Sequence, residues 1–95
     1  MLENDLRNKD VEELAKAFSK LRTKQECLEF LRDVCTIQEI KTMADRLQIA
    51  KRIAKKQPYR KISKETGAST TTVTRISHWY HHGPGGYKSV LKRLK

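Results

Sequence analysis

Ninety-five residues, 37% of them hydrophobic and carrying a net charge of +10, describe one small, strongly basic domain that buries only about 60–65% of its unfolded surface. No apolar run reaches the roughly 18 residues needed to cross a bilayer, the opening MLENDLRNKD has no apolar signal-peptide core, and two cysteines make no disulfide framework, so Cys27 and Cys35 read as reduced core residues of a cytoplasmic protein. The charge is segregated: residues 1–45 hold eight basic and ten acidic side chains, a net of −2, whereas residues 46–95 hold thirteen basic residues and the single acid Glu65, a net of +12.

Residues 1–7 read as frayed or loosely docked. The first helix is expected over Asp10–Lys20, where Val11, Leu14, Ala15, Phe18 and Leu21 form one apolar stripe and Asn8 or Asp10 supplies the cap. A second begins at Thr23, because Thr23 and Glu26 form a capping box. Its apolar residues Cys27, Leu28, Phe30, Leu31 and Val34 cover an arc wider than one packing partner needs, which predicts burial on more than one side, as at a dimer interface. Thr36 and Glu39 repeat the box and open a long third helix to about Lys55, with Ile37, Ile40, Met43, Ala44, Leu47, Ala50 and Ala54 as its stripe.

Pro58 closes that helix or opens the next. The segment YRKISKETGASTTTVTRI, Tyr59–Ile76, then has the pattern of two short helices meeting at one glycine. Gly67 ends the first in a left-handed conformation, Ala68 is small enough for a close crossing, and Ser69 caps the second. Ile62, Ser63, Val73 and Ile76 turn inward, whereas Thr70, Thr71, Thr74 and Arg75 lie on other faces. This is the spacing of a helix-turn-helix, whose second helix enters the DNA major groove. Thr66, just before the glycine, is its one departure, since an apolar residue is usual there. The two helices are expected over residues 59–66 and 70–81. His82-Gly-Pro-Gly-Gly breaks the chain, and a last helix over Tyr87–Leu94 presents Val90, Leu91 and Leu94 as its apolar edge.

Ser69, Thr70, Thr71 and Thr72 are the expected readers of base edges, through short hydroxyls and, for threonine, methyls that meet the thymine methyl. Arg60, Lys61, Lys64 and Arg75, with Lys55 and Lys56, are the expected phosphate contacts.

Two stretches resemble the Trp repressor family, most closely its short regulators of the YerC/YecD type: CTIQEIKTMADR, Cys35–Arg46, and YRKISKETGASTTTVTR, Tyr59–Arg75. The likeness covers about residues 10–82, and the tail GYKSVLKRL also suits the short regulators. The resemblance implies an all-α fold of about six helices in a single domain, residues 1–95. In it, residues 10–55 form the dimerisation helices of an intertwined homodimer, 58–81 the helix-turn-helix and 87–94 a C-terminal helix. It also implies a tryptophan pocket in which Arg46 and Arg75 sandwich the indole and Thr36 is a further wall. Ile76 stands where the family needs glycine and Trp79 where it has serine, so the cavity is expected to be filled by the protein's own side chains.

The expected function is that of a sequence-specific, double-stranded DNA-binding regulator, most simply a repressor. It would act as a cytoplasmic homodimer, nucleoid-associated when bound, on a near-palindromic operator without tryptophan and without a cofactor. Two alternatives stand beside it. The first is a regulator answering a metal or another effector, since His78 and His82 share a helix face and His81 adjoins them, although no set of four ligands is completed. The second is an RNA- or protein-interaction module using the same basic face; the aromatic residues there, Tyr59, Trp79, Tyr80 and Tyr87, form no obvious stacking platform. Enzymatic function is disfavoured, because there is no phosphate loop, no plausible nucleophile–His–Asp set and almost no carboxylate in the basic half.

Overall fold

The computed structural model describes residues 2–94. Six α-helices follow a short 3-10 turn at Asn4–Leu6: α1 (Lys9–Ser19), α2 (Lys24–Val34), α3 (Ile37–Ala54), α4 (Tyr59–Thr66), α5 (Thr70–His82) and α6 (Gly86–Arg93). The described residues contain no strand. Within residues 2–7, all of them exposed, the 3-10 turn is tied by backbone bonds from Leu6 N–H to the Glu3 carbonyl and from Arg7 N–H to the Asn4 carbonyl, both 3.0 Å.

Side-chain caps set four of the six helix starts. Asn8 accepts from Val11 N–H at 2.9 Å and fixes α1 one residue earlier than Asp10. Thr23 accepts from Glu26 N–H at 3.0 Å, and the Glu26 carboxylate reaches back to Arg22 N–H at 2.9 Å. At α3 the box is reciprocal: Thr36 Oγ1 accepts from Glu39 N–H at 3.1 Å, and Glu39 Oε1 accepts from Thr36 N–H at 2.8 Å. Ser69 Oγ accepts from Thr72 N–H at 3.1 Å at the head of α5. Each such cap contributes about 1 kcal/mol.

The chain divides into two compact units, residues 1–40 and 41–95. In the first, the Phe18 and Phe30 rings meet edge to face, with centroids 5.1 Å apart and planes at 78°. No described residue of this unit is buried. Leu14, Phe18, Leu28, Val34 and Ile37 keep 40–55% of their surface exposed.

The second unit has a true core, made by Ile49, Ala50 and Ile53 from α3, Ile62 from α4, and Val73 and Ile76 from α5. Ala68, Tyr80, Tyr87 and Leu91 pack against it. The inward edge of α6 is therefore Tyr87 and Leu91, one turn apart; Val90 and Leu94, expected to share that edge, remain about half exposed. Lys88 Nζ sits 5.5 Å from the centre of the Tyr80 ring and links α6 to α5.

The end of α3 explains how the chain turns toward the helix-turn-helix. Lys56 has φ +61°, a left-handed conformation in a residue with a side chain. Its N–H bonds the Ile53 carbonyl at 2.9 Å, and Gln57 N–H bonds the Arg52 carbonyl at 3.2 Å. This pair of bonds is the Schellman closure, in which the left-handed position is ordinarily glycine. Pro58 then precedes α4 in extended conformation at φ −61°. Helix α3 thus ends before the proline, by its own carbonyl capping.

Candidate nucleic-acid interface

Helix α4 and helix α5 meet through the connection Gly67–Ala68–Ser69. Gly67 ends α4 at φ +79°, with its N–H on the Ser63 carbonyl at 2.9 Å. The Ser63 hydroxyl donates to the Ala68 carbonyl. Thr66, the departure from the usual apolar residue, is held by its own hydroxyl: Oγ1 donates to the Ile62 carbonyl at 2.7 Å and accepts from Ala68 N–H at 3.3 Å. A polar residue is tolerated at this half-buried position because both hydrogen-bonding functions are met locally. At the other end of the pair, Tyr59 shares a hydrogen bond with the hydroxyl of Ser77, which is only 4% exposed. The start of α4 is thereby tied to the third turn of α5.

The expected base readers occupy the first turn of α5 and its cap. Ser69, Thr70 and Thr71 are exposed and Thr72 is half-buried. Their hydroxyls are not equivalent. Ser69 Oγ accepts from Thr72 N–H and donates to Thr72 Oγ1 at 3.0 Å, so its donor is committed to the cap. Thr72 keeps its own donor, and the hydroxyls of Thr70 and Thr71 make no hydrogen bond among the described residues.

The expected phosphate contacts Arg60, Lys61, Lys64, Arg75, Lys55 and Lys56 are all exposed, and none forms an ion pair among the described residues. Arg60 and Lys61 lie in the first turn of α4, which has no acid and no side-chain cap, since the residue before it is Pro58. Cations at a helix N-terminus oppose the macrodipole, and the unpaired N–H groups there favour an anion. Among the described residues, the basic half makes one ion pair, Arg52 Nε to Glu65 Oε1 at 3.2 Å, joining α3 to α4. The sequence offered no pattern for this pair beyond the isolation of Glu65 among cations.

Of the residues expected at an effector pocket, Thr36 belongs to the first unit and its hydroxyl is the cap of α3. Arg46 and Arg75 are exposed and without a carboxylate partner among the described residues. Ile76 is 4% exposed and sits in the core of the second unit with Ile49, Ile62 and Val73. Trp79, one turn on, is 47% exposed. It lies against Gly83, where a Cβ would run into the Trp79 carbonyl oxygen, so only glycine closes α5 in this manner. Beside it, the rings of His78 and His82 lie 5.2 Å apart and those of His81 and His82 6.3 Å apart. The described residues bring together no group of three or more metal-type side chains. Among the described residues, no helix is long and apolar enough to cross a membrane.

An all-α chain with a capped second helix crossing a basic first helix is a helix-turn-helix protein, of the class that reads duplex DNA. More narrowly, this chain belongs to the Trp repressor protein family, whose model matches residues 9–95. It is 38% identical over 90 residues to the uncharacterised protein YerC of Bacillus subtilis (strain 168), covering 95% of this chain and 86% of YerC. Two crystal structures share the fold with TM-scores of 0.89. One is a TrpR-like protein from Eubacterium eligens ATCC 27750, 37% identical over 97% of this chain and 95% of that one. The other is a Trp-repressor candidate from Staphylococcus aureus, 36% identical over 99% and 94% of the two chains. The family is one of DNA-binding regulators and not of enzymes.

Proposed function

We propose that the protein is a cytoplasmic transcriptional repressor that binds a near-palindromic operator as an intertwined homodimer, without tryptophan. The observation that carries the DNA-binding geometry is the uncapped, acid-free first turn of α4 with Arg60 and Lys61 upon it, packed with α5, whose first turn leaves Thr70 and Thr71 exposed. Arg60 and Lys61, with Lys64, Arg75, Lys55 and Lys56, hold phosphates and set the register. Thr70 and Thr71 are the leading base readers, Thr72 adds its remaining donor, and Ser69 acts mainly by shaping the turn. Because none of these makes the bidentate arginine–guanine contact, water and DNA shape carry a good share of specificity.

The homodimer reading rests on the first unit. Two amphipathic helices with no buried residue cannot hold themselves folded on their own apolar area, and the exposed row Leu14, Phe18, Leu28, Val34 and Ile37 is apolar surface that a second copy would cover. In this reading residues 10–55 supply the dimer, 58–81 the reading head and 87–94 the closing helix, within one functional domain. Independence from tryptophan rests on Ile76. A side chain locked in the core at the position where the family needs glycine leaves no backbone approach for an indole.

Selection of bound duplexes from a random pool, with and without tryptophan, tests the whole reading. A palindromic consensus with half-sites about 34–36 Å apart, unchanged by tryptophan, is expected. Strict tryptophan dependence would overturn the argument from Ile76, and a preference for RNA of matched length would overturn the DNA assignment. With about 6–8 phosphates neutralised per dimer, log K should fall against log salt with a slope near −5 to −7.

A further inference from the structure

The three helices around the second unit's core are joined unequally. Helix α4 and helix α5 are bound into a pair by polar links at both ends: Tyr59 shares a hydrogen bond with Ser77, and the Ser63 hydroxyl donates to the Ala68 carbonyl. This pair meets Ile49, Ala50 and Ile53 of α3 through Ile62, Val73 and Ile76, and Ile62 is the one buried residue among the eight of α4. The attraction between such side chains has no preferred direction. It fixes the separation of α4 from α3 more firmly than its tilt.

Glu65 stands in a poor place by every local measure. It is the single acid of residues 46–95. It lies in the last turn of α4, where the macrodipole disfavours negative charge. Lys61, four residues before it, forms no ion pair with it, and that order of charges is the weaker one on a helix. The carboxylate crosses instead to α3, where Arg52 Nε donates to Oε1 at 3.2 Å. Arg52 is itself held on its own helix: Nη1 donates to the Gln48 carbonyl at 3.2 Å and to Gln48 Oε1 at 3.3 Å. A planar guanidinium fixed in this way is a strut and not a tether. Side-chain exposures of 28% for Arg52 and 39% for Glu65 put the link at the rim of the α3–α4 junction, where it has the most leverage on tilt.

We propose that Arg52 and Glu65 are positioning residues for operator recognition, holding α4, and with it α5, at one tilt against α3. Neither contacts a base. The inference rests on the DNA-binding reading, under which Glu65 has two opposed effects. Its charge, one residue from Lys64, repels phosphates and weakens binding to every duplex. Its link to Arg52 favours the one geometry that the operator needs and that loose electrostatic binding does not. A partly exposed pair biases such an equilibrium by roughly threefold, and two heads engaged on one operator multiply this to about tenfold.

The test is a double-mutant cycle on the full chain, read as the ratio of affinities for the duplex recovered by selection and for a scrambled duplex of equal length. Glu65→Gln should bind the scrambled duplex more tightly and the selected one more weakly, with the ratio falling about tenfold. Arg52→Gln should lower the ratio by a similar factor, and the double variant should lower it no further than either single change. Equal tightening on both duplexes would reduce Glu65 to a mere charge, and proportional weakening on both would reduce it to a stability effect; either overturns the proposal. So do additive losses in the double variant. A second measurement needs no DNA. In the free, weakly aligned protein, the N–H dipolar couplings of α4 and α5 should fit one orientation with those of α3, and in Glu65→Gln they should shrink relative to α3. Unchanged couplings refute the clasp itself, whereas a wild-type chain that prefers no duplex removes the DNA-binding reading and the recognition role with it.

Discussion

Lys56 carries two burdens that a pair of substitutions separates. Its φ of +61° places a Cβ where L-residues are disfavoured, at about 1–2 kcal/mol, yet the Schellman bonds to Ile53 and Arg52 require that conformation. Its ammonium is one of the proposed phosphate contacts. Lys56→Gly and Lys56→Ala both delete the charge and differ only at the backbone. Glycine removes the strain but gives the unfolded chain more freedom, a loss of roughly 0.5–1 kcal/mol, so the glycine variant should be more stable than the alanine variant by about 0.5–1 kcal/mol. For a chain of this length that difference corresponds to roughly 3–6 °C in melting temperature. Chemical denaturation at one fixed protein concentration measures it, because a dimer's stability depends on concentration. Both variants should bind operator more weakly, with the salt slope shallower by about 2 per dimer for two lost contacts. Alanine equal to or more stable than glycine would refute the strain argument; an unchanged salt slope would refute the contact.

Three further substitutions probe other parts. Ser69→Ala removes the α5 cap and should cost about 1 kcal/mol of stability, and by loosening the first turn it should lower specific operator affinity more than non-specific affinity in a gel-shift comparison. Ile76→Ala opens the core and should cost about 2–5 kcal/mol; calorimetric titration of the native chain with tryptophan should show no binding, and saturable binding there would end the argument that Ile76 closes the pocket. Leu28→Glu alters a residue 50% exposed in the first unit; if that face were bare solvent surface the change would stay within about 0.5 kcal/mol, so a large loss of stability accompanied by a shift to monomer in sedimentation would support the dimer, and a stable, unshifted protein would exclude this residue from the interface.

Local signals were legible and long-range ones were not. Thr23, Thr36 and Ser69 announce their helices because a cap is chemistry confined to four residues, and Gly67 announces its turn because the conformation is its own. The end of α3 was legible to within a residue, at about Lys55 against Ala54, but the way it closes was not, since nothing in Lys56 as a residue type signals a left-handed conformation; only the carbonyl geometry before it does. The edge of α6 was misjudged for a related reason. Val90 and Leu94 are as apolar as Leu91, and which of them turns inward depends on how Tyr87 and Lys88 dock against the core and Tyr80. The Arg52–Glu65 pair and the Tyr59–Ser77 bond, 13 and 18 residues apart, lie beyond the reach of any periodicity. Thr66 looked like a blemish in the motif until its hydroxyl was seen to serve two backbone groups at once.

The unequal interiors of the two units have a consequence for how such a regulator behaves in a growing cell. The unit bearing the helix-turn-helix owns its core, whereas residues 2–40 bury nothing of their own. Under the homodimer reading, assembly of the first half is a bimolecular event and the second half is not. At low copy number a chain would carry one finished head on an unfinished stem, and it would lose the gain in effective concentration that two linked heads confer. Occupancy of the operator would then rise more steeply than protein number. The protein's own abundance would act as an input, and the response would sharpen with no small molecule involved.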